Sequence, residues 1–121
     1  MEGEKSIYQE AWELIQLHQG TSGQAALAKC VLSLYNGENS FSIGEILWPL
    51  DNRYTEVVLG MVLDYAQNGE TAELVRVGSL VYKSFPRLVE LSESMIAARS
   101  AVYKKWEAER EEERRLEGLE G

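Results

Sequence analysis

The chain is poor in the residues from which catalytic and metal centres are built. Among its 121 residues there is one cysteine and one histidine. A lone Cys30 excludes an intrachain disulfide and a cysteine-rich metal site. A nucleophile pair would need Cys30 and His18 to face one cleft, and their spacing gives no reason to expect it. The two prolines, Pro49 and Pro86, fall where helices are expected to end or begin. No segment approaches the roughly 18 consecutive apolar residues of a membrane span. The start, MEGEKSIYQEAW, lacks the basic residues and apolar run of a signal peptide. These absences lead us to expect a soluble, cytoplasmic protein with no membrane partner.

Positive charge is also scarce. Twelve Lys and Arg stand against twenty Asp and Glu, for a formal net charge of −8. Such a chain is repelled by nucleic acid and by anionic membrane, and is drawn to a basic protein surface. Residues 1–70 carry ten acids and three bases, whereas residues 71–121 carry ten and nine, so the N-terminal half sets the field. What is present in ordinary amount is core material. Hydrophobic residues make up 45% and charged residues 26%, as in a globular domain. A chain of this length buries roughly two-thirds of its unfolded surface and is expected to form one domain.

The apolar spacing is helical nearly throughout, so the expected fold class is all-α, a bundle of about five helices. Ile7, Ala11, Leu14, Ile15 and His18 share one face of a first helix, which Gly20 stops. Thr21 or Ser22 caps a second, whose stripe is Ala26, Leu27, Cys30, Val31, Leu34 and Tyr35 and whose end is Asn36 and Gly37. Ser42 and Glu45 form a capping box for a short helix burying Ile43, Ile46 and Leu47, which Pro49 limits through its effect on Trp48. Asp51 caps a long helix, apolar around much of its circumference from Tyr54 to Tyr65, which is expected to be the central element. After Asn68 and Gly69, a short helix is expected before Gly78, a new start at Gly78 or Ser79, and a long helix from Pro86. Leu88, Leu91, Met95, Ala98 and Val102 alternate in threes and fours, a seam that continues to Trp106. It closes either on the central helix or on a second chain. Residues 1–106 are read as the domain, and residues 107–121, AEREEERRLEGLEG with its preceding glutamate, as a charged extension that is a solvated helix end, a disordered tail or a partner-binding helix.

Several chemistries fail on inspection. The acids stand at positions expected to be exposed, so none has the desolvation that raises a working pKa. No D-x-D-x-D-G loop or E-x-x-H helix occurs, and no metal or other cofactor is expected. GTSGQ lacks the G-K-S/T of a phosphate loop and reads as a helix stop followed by a cap. The second helix carries only Lys29, too little for a DNA-reading helix, so direct nucleic-acid binding is not expected. Arg76, Lys83, Arg87 and Arg99 read as a solvated face. Trp48, Tyr54 and Phe41 surround the Pro49 corner, where large aromatics either plug a core or anchor another protein.

The segment GTSGQAAxxxxxLSLYNG followed by FxIxxILxxLD, residues 20–51, resembles an uncharacterised family of short helical proteins encoded on plasmids, phages and integrated elements of proteobacteria. A fainter echo runs from Val77 and Gly78 through Phe85 and Leu88. The family offers no catalytic residues. What the resemblance implies is a genomic habitat in which small acidic proteins act by binding a host or element protein. The expectation is a non-enzymatic interaction module of a mobile element, an acidic inhibitor of a host nucleic-acid-binding defence complex in the manner of an anti-CRISPR. Its candidate partner-binding residues are Glu10, Glu13, Glu38, Glu45, Glu56, Asp64, Trp48 and Tyr54. The alternative is a structural or regulatory homodimer or larger oligomer, assembled through Leu88, Leu91, Met95, Val102 and Trp106.

Overall fold

The computed structural model describes residues 5–35 and 41–119, with the backbone of Glu120. Among these there are six helices and no strand: α1 (Ile7–Leu17), α2 (Ser22–Leu34), α3 (Ile43–Leu47), α4 (Asn52–Asn68), α5 (Ala72–Ser84) and α6 (Pro86–Glu120). The expected all-α class with a long C-terminal helix is what is found. Asn36, Gly37 and Glu38 lie outside the described residues.

Local chemistry sets most helix ends. Ser6, Thr21, Ser42, Asp51 and Thr71 each accept a hydrogen bond from the backbone N–H three residues on, satisfying one orphan donor of the first turn. The box at α3 is complete: Glu45 N–H donates to Ser42 Oγ at 3.1 Å and Ser42 N–H donates to Glu45 Oε1 at 2.8 Å. Gly69 ends α4 with φ +69°, a conformation open to glycine at little cost. Trp48, however, has helical dihedrals of −61° and −33°, so Pro49 does not end α3 by excluding helix from its neighbour. The missing N–H of Pro49 leaves the Glu45 carbonyl without its helical donor, and that stops the ladder.

Three expectations are corrected. The central element is α2, which packs against α1, α3, α4 and α5 and buries Ala26, Leu27, Ala28, Cys30, Val31 and Leu32. α4 instead lies at the outside, with Tyr54, Val57, Val58 and Met61 turned inward and Leu59, Val62 and Leu63 exposed. Its broad apolar circumference records two faces, of which this chain covers one. The break at Gly78 is also absent: α5 runs through it, because Gly78 is where Tyr35 lies across the helix, and a Cβ there would collide with the ring. Small size, not helix breaking, is what that glycine supplies. Ile43, expected in the core, is exposed, and Ile46 alone of α3 is fully buried.

α6 begins at Pro86, where the absent N–H costs nothing. It docks on α5 with Val89 and Ser92 buried and Met95 and Ile96 half-buried. From Ala97 to Leu119 every side chain is exposed, and the helix runs on through Glu107 without a break. At 1.5 Å per residue this free length is about 35 Å.

Candidate functional site

The GTSGQ segment, Gly20 to Gln24, forms a helix corner. In GTSGQ, Gly20 takes φ +79°, Thr21 caps α2, and Gly23 lets the Tyr54 ring approach to 2.9 Å of where a Cβ would stand. Gln24 ties the turn together, since its Nε2 donates to the Ile15 carbonyl at 2.9 Å and its Oε1 accepts from Gly20 N–H at 2.9 Å. Gly20, Thr21 and Gln24 therefore serve the α1–α2 corner, and Gly23 makes room for α4. His18, Thr21, Gly23, Pro49, Asp51 and Tyr54 line a shallow cleft beside it. His18 and Tyr54 rings stand 5.9 Å apart, and Asp51 is occupied in capping α4 through Tyr54 N–H at 2.9 Å.

Among the candidate partner residues around Pro49, the two outcomes divide. Tyr54 is 8% exposed and plugs the core against Gly23, and Phe41 packs on the core with Lys29 Nζ 5.9 Å above its ring. Trp48 is 81% exposed and points away from the bundle.

The candidate acids are mostly engaged within the chain. Lys5 Nζ donates to Glu13 at 2.7 Å and Gln9 Nε2 to the same carboxylate at 3.0 Å, which together hold it below its ordinary range. Glu10 faces Arg53 at 3.6 Å. The Ser42 N–H, and then Lys29 at 3.4 Å, lower Glu45. Asp64 accepts from the buried Tyr8 hydroxyl at 3.0 Å and from Asn68 at 3.1 Å. Burial and that carboxylate push the Tyr8 phenol far above its usual value. Glu56 is exposed on α4. Glu10, Glu13, Glu56 and Asp64 lie on the packed pair α1 and α4, while Glu45 lies apart on α3.

Cys30 is buried, and desolvation pushes its thiol up to about 12, so it is held as an unreactive thiol. No group of three or more His, Cys, Asp or Glu among the described residues is placed to hold a metal ion. Among those residues, no helix is long and apolar enough to cross a membrane.

The seam of α6 is left largely uncovered by its own chain. Leu88 and Met95 are half-buried against the body, whereas Leu91, Ala98, Val102 and Trp106 are exposed, Trp106 at 48%. The docked face of α6 is centred on Val89 and Ser92, lies on α5 and takes in only Leu88 and Met95 of the seam. Tyr103, which the seam pattern misses, stacks edge-on with Trp106 at 5.7 Å between centroids. Its spacing of three from Trp106 was the available signal. The exposed Leu59, Val62 and Leu63 of α4 were hidden by an apolar pattern that looked fully packed. Comparison of the chain with protein-family models, with curated proteins and with solved structures returned no match.

Proposed function

We propose that this protein is a non-enzymatic protein-interaction module of a mobile genetic element and that α6 is its docking element. The observation that carries the reading is the free length of α6, on which Val102, Tyr103 and Trp106 stand exposed beyond the bundle. Tyrosine and tryptophan at such positions supply large contact area for little lost rotamer freedom, and they dominate binding energies when covered. The resemblance of residues 20–51 to mobile-element proteins supports the habitat. The net charge of −8 supports a basic target, and the form we favour is an anti-CRISPR-like inhibitor of a host nucleic-acid-binding defence complex.

Because most candidate acids are already paired within the chain, long-range attraction would come from the whole charge rather than from one acidic face. A second reading, assembly of copies through α6, is favoured by the apolar character of the seam. The test is capture from a proteobacterial lysate at low and moderate salt, with the full chain and its Trp106→Ala variant as baits. A basic nucleic-acid-handling complex, held by the full chain, released as salt rises and not held by the variant, is the expected result. Equal capture by both baits would remove α6 from the role.

A further inference from the structure

The outward row of α6 changes chemistry at Trp106. At about 100° of turn per residue, Met95, Val102, Glu109, Glu113 and Glu117 all lie within about 60° of Trp106 around the helix. Up to Trp106 this row is apolar, with Val102 and Trp106 exposed, and beyond it the row is acidic. Two cations share the face: Arg99, which already has an interaction partner, and Arg110. Beyond Trp106 the face therefore carries three acids against one base. Glu112 lies on the far side, where Arg115 pairs with it at 2.6 Å. Among the described residues, Glu109, Glu113 and Glu117 take part in no ion pair. At four-residue spacing they repel one another, and Glu117, in the last turn, opposes the helix dipole. The row weakens the isolated helix.

A need for cover and a need for positive charge thus stand end to end on one face. We propose that this face pairs with a helix of another protein, apolar opposite Val102 and Trp106 and bearing Lys or Arg opposite Glu109, Glu113 and Glu117. The inference rests on the reading of α6 as the docking element and names its occupant. A helix fits because the steps from residue 95 to 99, 102, 106, 109 and 113 alternate between four and three, which keeps one row turned towards a neighbouring helix along its whole length. From Val102 to Glu117 the contact spans about 22 Å, roughly four turns. A second copy of this chain does not fit the row. A parallel copy in register sets each of the three glutamates against its own counterpart. A copy laid antiparallel about Trp106 sets Val102 against Arg110 and Met95 against Glu117, so the apolar positions meet charge. The acids therefore act twice, as the complement of a cationic helix and as an obstacle to self-pairing.

Two synthetic helical peptides of roughly three heptads serve as probes. One carries Leu at the contact positions of its first half and Lys at those of its second, and the other has Glu in place of Lys. Isothermal titration calorimetry at moderate salt is expected to show the full chain binding the Lys peptide and not the Glu peptide. Trp106→Ala is expected to weaken that binding on the order of tenfold. Glu109→Gln, Glu113→Gln and Glu117→Gln together are expected to weaken it on the order of tenfold as well. Glu107→Gln, Glu111→Gln and Glu112→Gln remove the same charge from the other faces and are expected to change it by less than about twofold. Equal loss in the two triple variants, or equal binding of the two peptides, overturns the acidic row as a contact. No binding of the Lys peptide overturns the helical occupant. In sedimentation velocity the full chain is expected to stay monomeric to roughly 0.1 mM, and a dimer that Trp106→Ala dissolves overturns the choice of another protein. Lysate capture with the Trp106→Ala bait judges the role of α6 separately. If capture depends on Trp106 while any of these results fails, α6 remains the docking element and its occupant is wrong. If no α6 variant changes any binding, the reading of α6 fails with it.

Discussion

Tyr8 carries a long-range polar link of the bundle. Its ring is 1% exposed, and its hydroxyl donates to Asp64 across the α1–α4 contact at 3.0 Å. Hydrogen bonds to an ionised acceptor are worth more than neutral ones, so Tyr8→Phe is expected to cost about 1–2 kcal/mol in urea unfolding, with m unchanged. The same contact warns against reading every acid as a binding residue, because reversing Asp64 would strike the fold before it reached a partner. Cys30 is the other diagnostic residue. Its thiol titrates at about 12 when folded against an ordinary 9.0, so the neutral form is the one the fold accommodates. A raised acid pKa contributes stability that is whole below 9.0 and is lost as pH climbs from 9.0 towards 12. Thiol reagents at neutral pH are therefore expected to label Cys30 only on the time scale of unfolding, which mass spectrometry of the native and urea-treated chain would read directly.

At the scale of elements, the helices are set by their caps and their glycines, and the two kinds of residue make different predictions. Glu45 closes the capping box of α3, and its carboxylate is held below 4.5 chiefly by the Ser42 N–H. Its contribution is present above the ordinary carboxylate pKa and disappears as pH falls through the lowered one. Glu45→Gln should accordingly lower stability at neutral pH and flatten its loss below 4.5, as thermal melts across that range would show. Gly78 tests a stronger claim. Helix propensity alone says that Gly78→Ala gains about 1 kcal/mol. Collision with the Tyr35 ring says the opposite, by about 1–3 kcal/mol in a packed site. We expect the collision to win, since Val77 and Val81 beside it are fully buried and leave the backbone no room to shift. A stabilised variant would mean that Tyr35 swings clear. Most helix ends were legible in advance because a cap acts within three residues. The meaning of Gly78 was not, because its partner lies on another helix.

The whole molecule divides at Ile96 into a bundle built on α2 and a free helix. Because every side chain from Ala97 to Leu119 is exposed and the buried contacts of α6 lie before it, removing residues 97–121 should leave the bundle's Tm within about 3 °C while lowering the helical circular dichroism. A larger fall would mean that the projecting helix supports the bundle, from within the chain or through contacts between copies, which sedimentation velocity of the full and shortened chains would separate. The exposed Leu59, Val62 and Leu63 of α4 form a second uncovered surface on the bundle itself. Net charge acts at this scale too: −8 spread over paired side chains steers encounter at long range without marking a contact point.

Spacing and hydrogen bonds between neighbours in the chain were enough to read the helical class, the caps Thr21, Ser42 and Asp51, the Gly69 stop, the burial of Cys30 and the long helix from Pro86, whereas the caps Ser6 and Thr71 went unread. Packing alone settled that α2 is the hub, that α4 keeps one apolar face outside, that Tyr54 turns in while Trp48 turns out, and that α6 docks by Val89 and Ser92 with only Leu88 and Met95 of its seam. The physical reason is that an apolar stripe states a need for cover and carries no record of what supplies it. Another helix of the same chain and a helix of a second chain satisfy that need equally well, and the choice appears only when all the faces compete for the same interior.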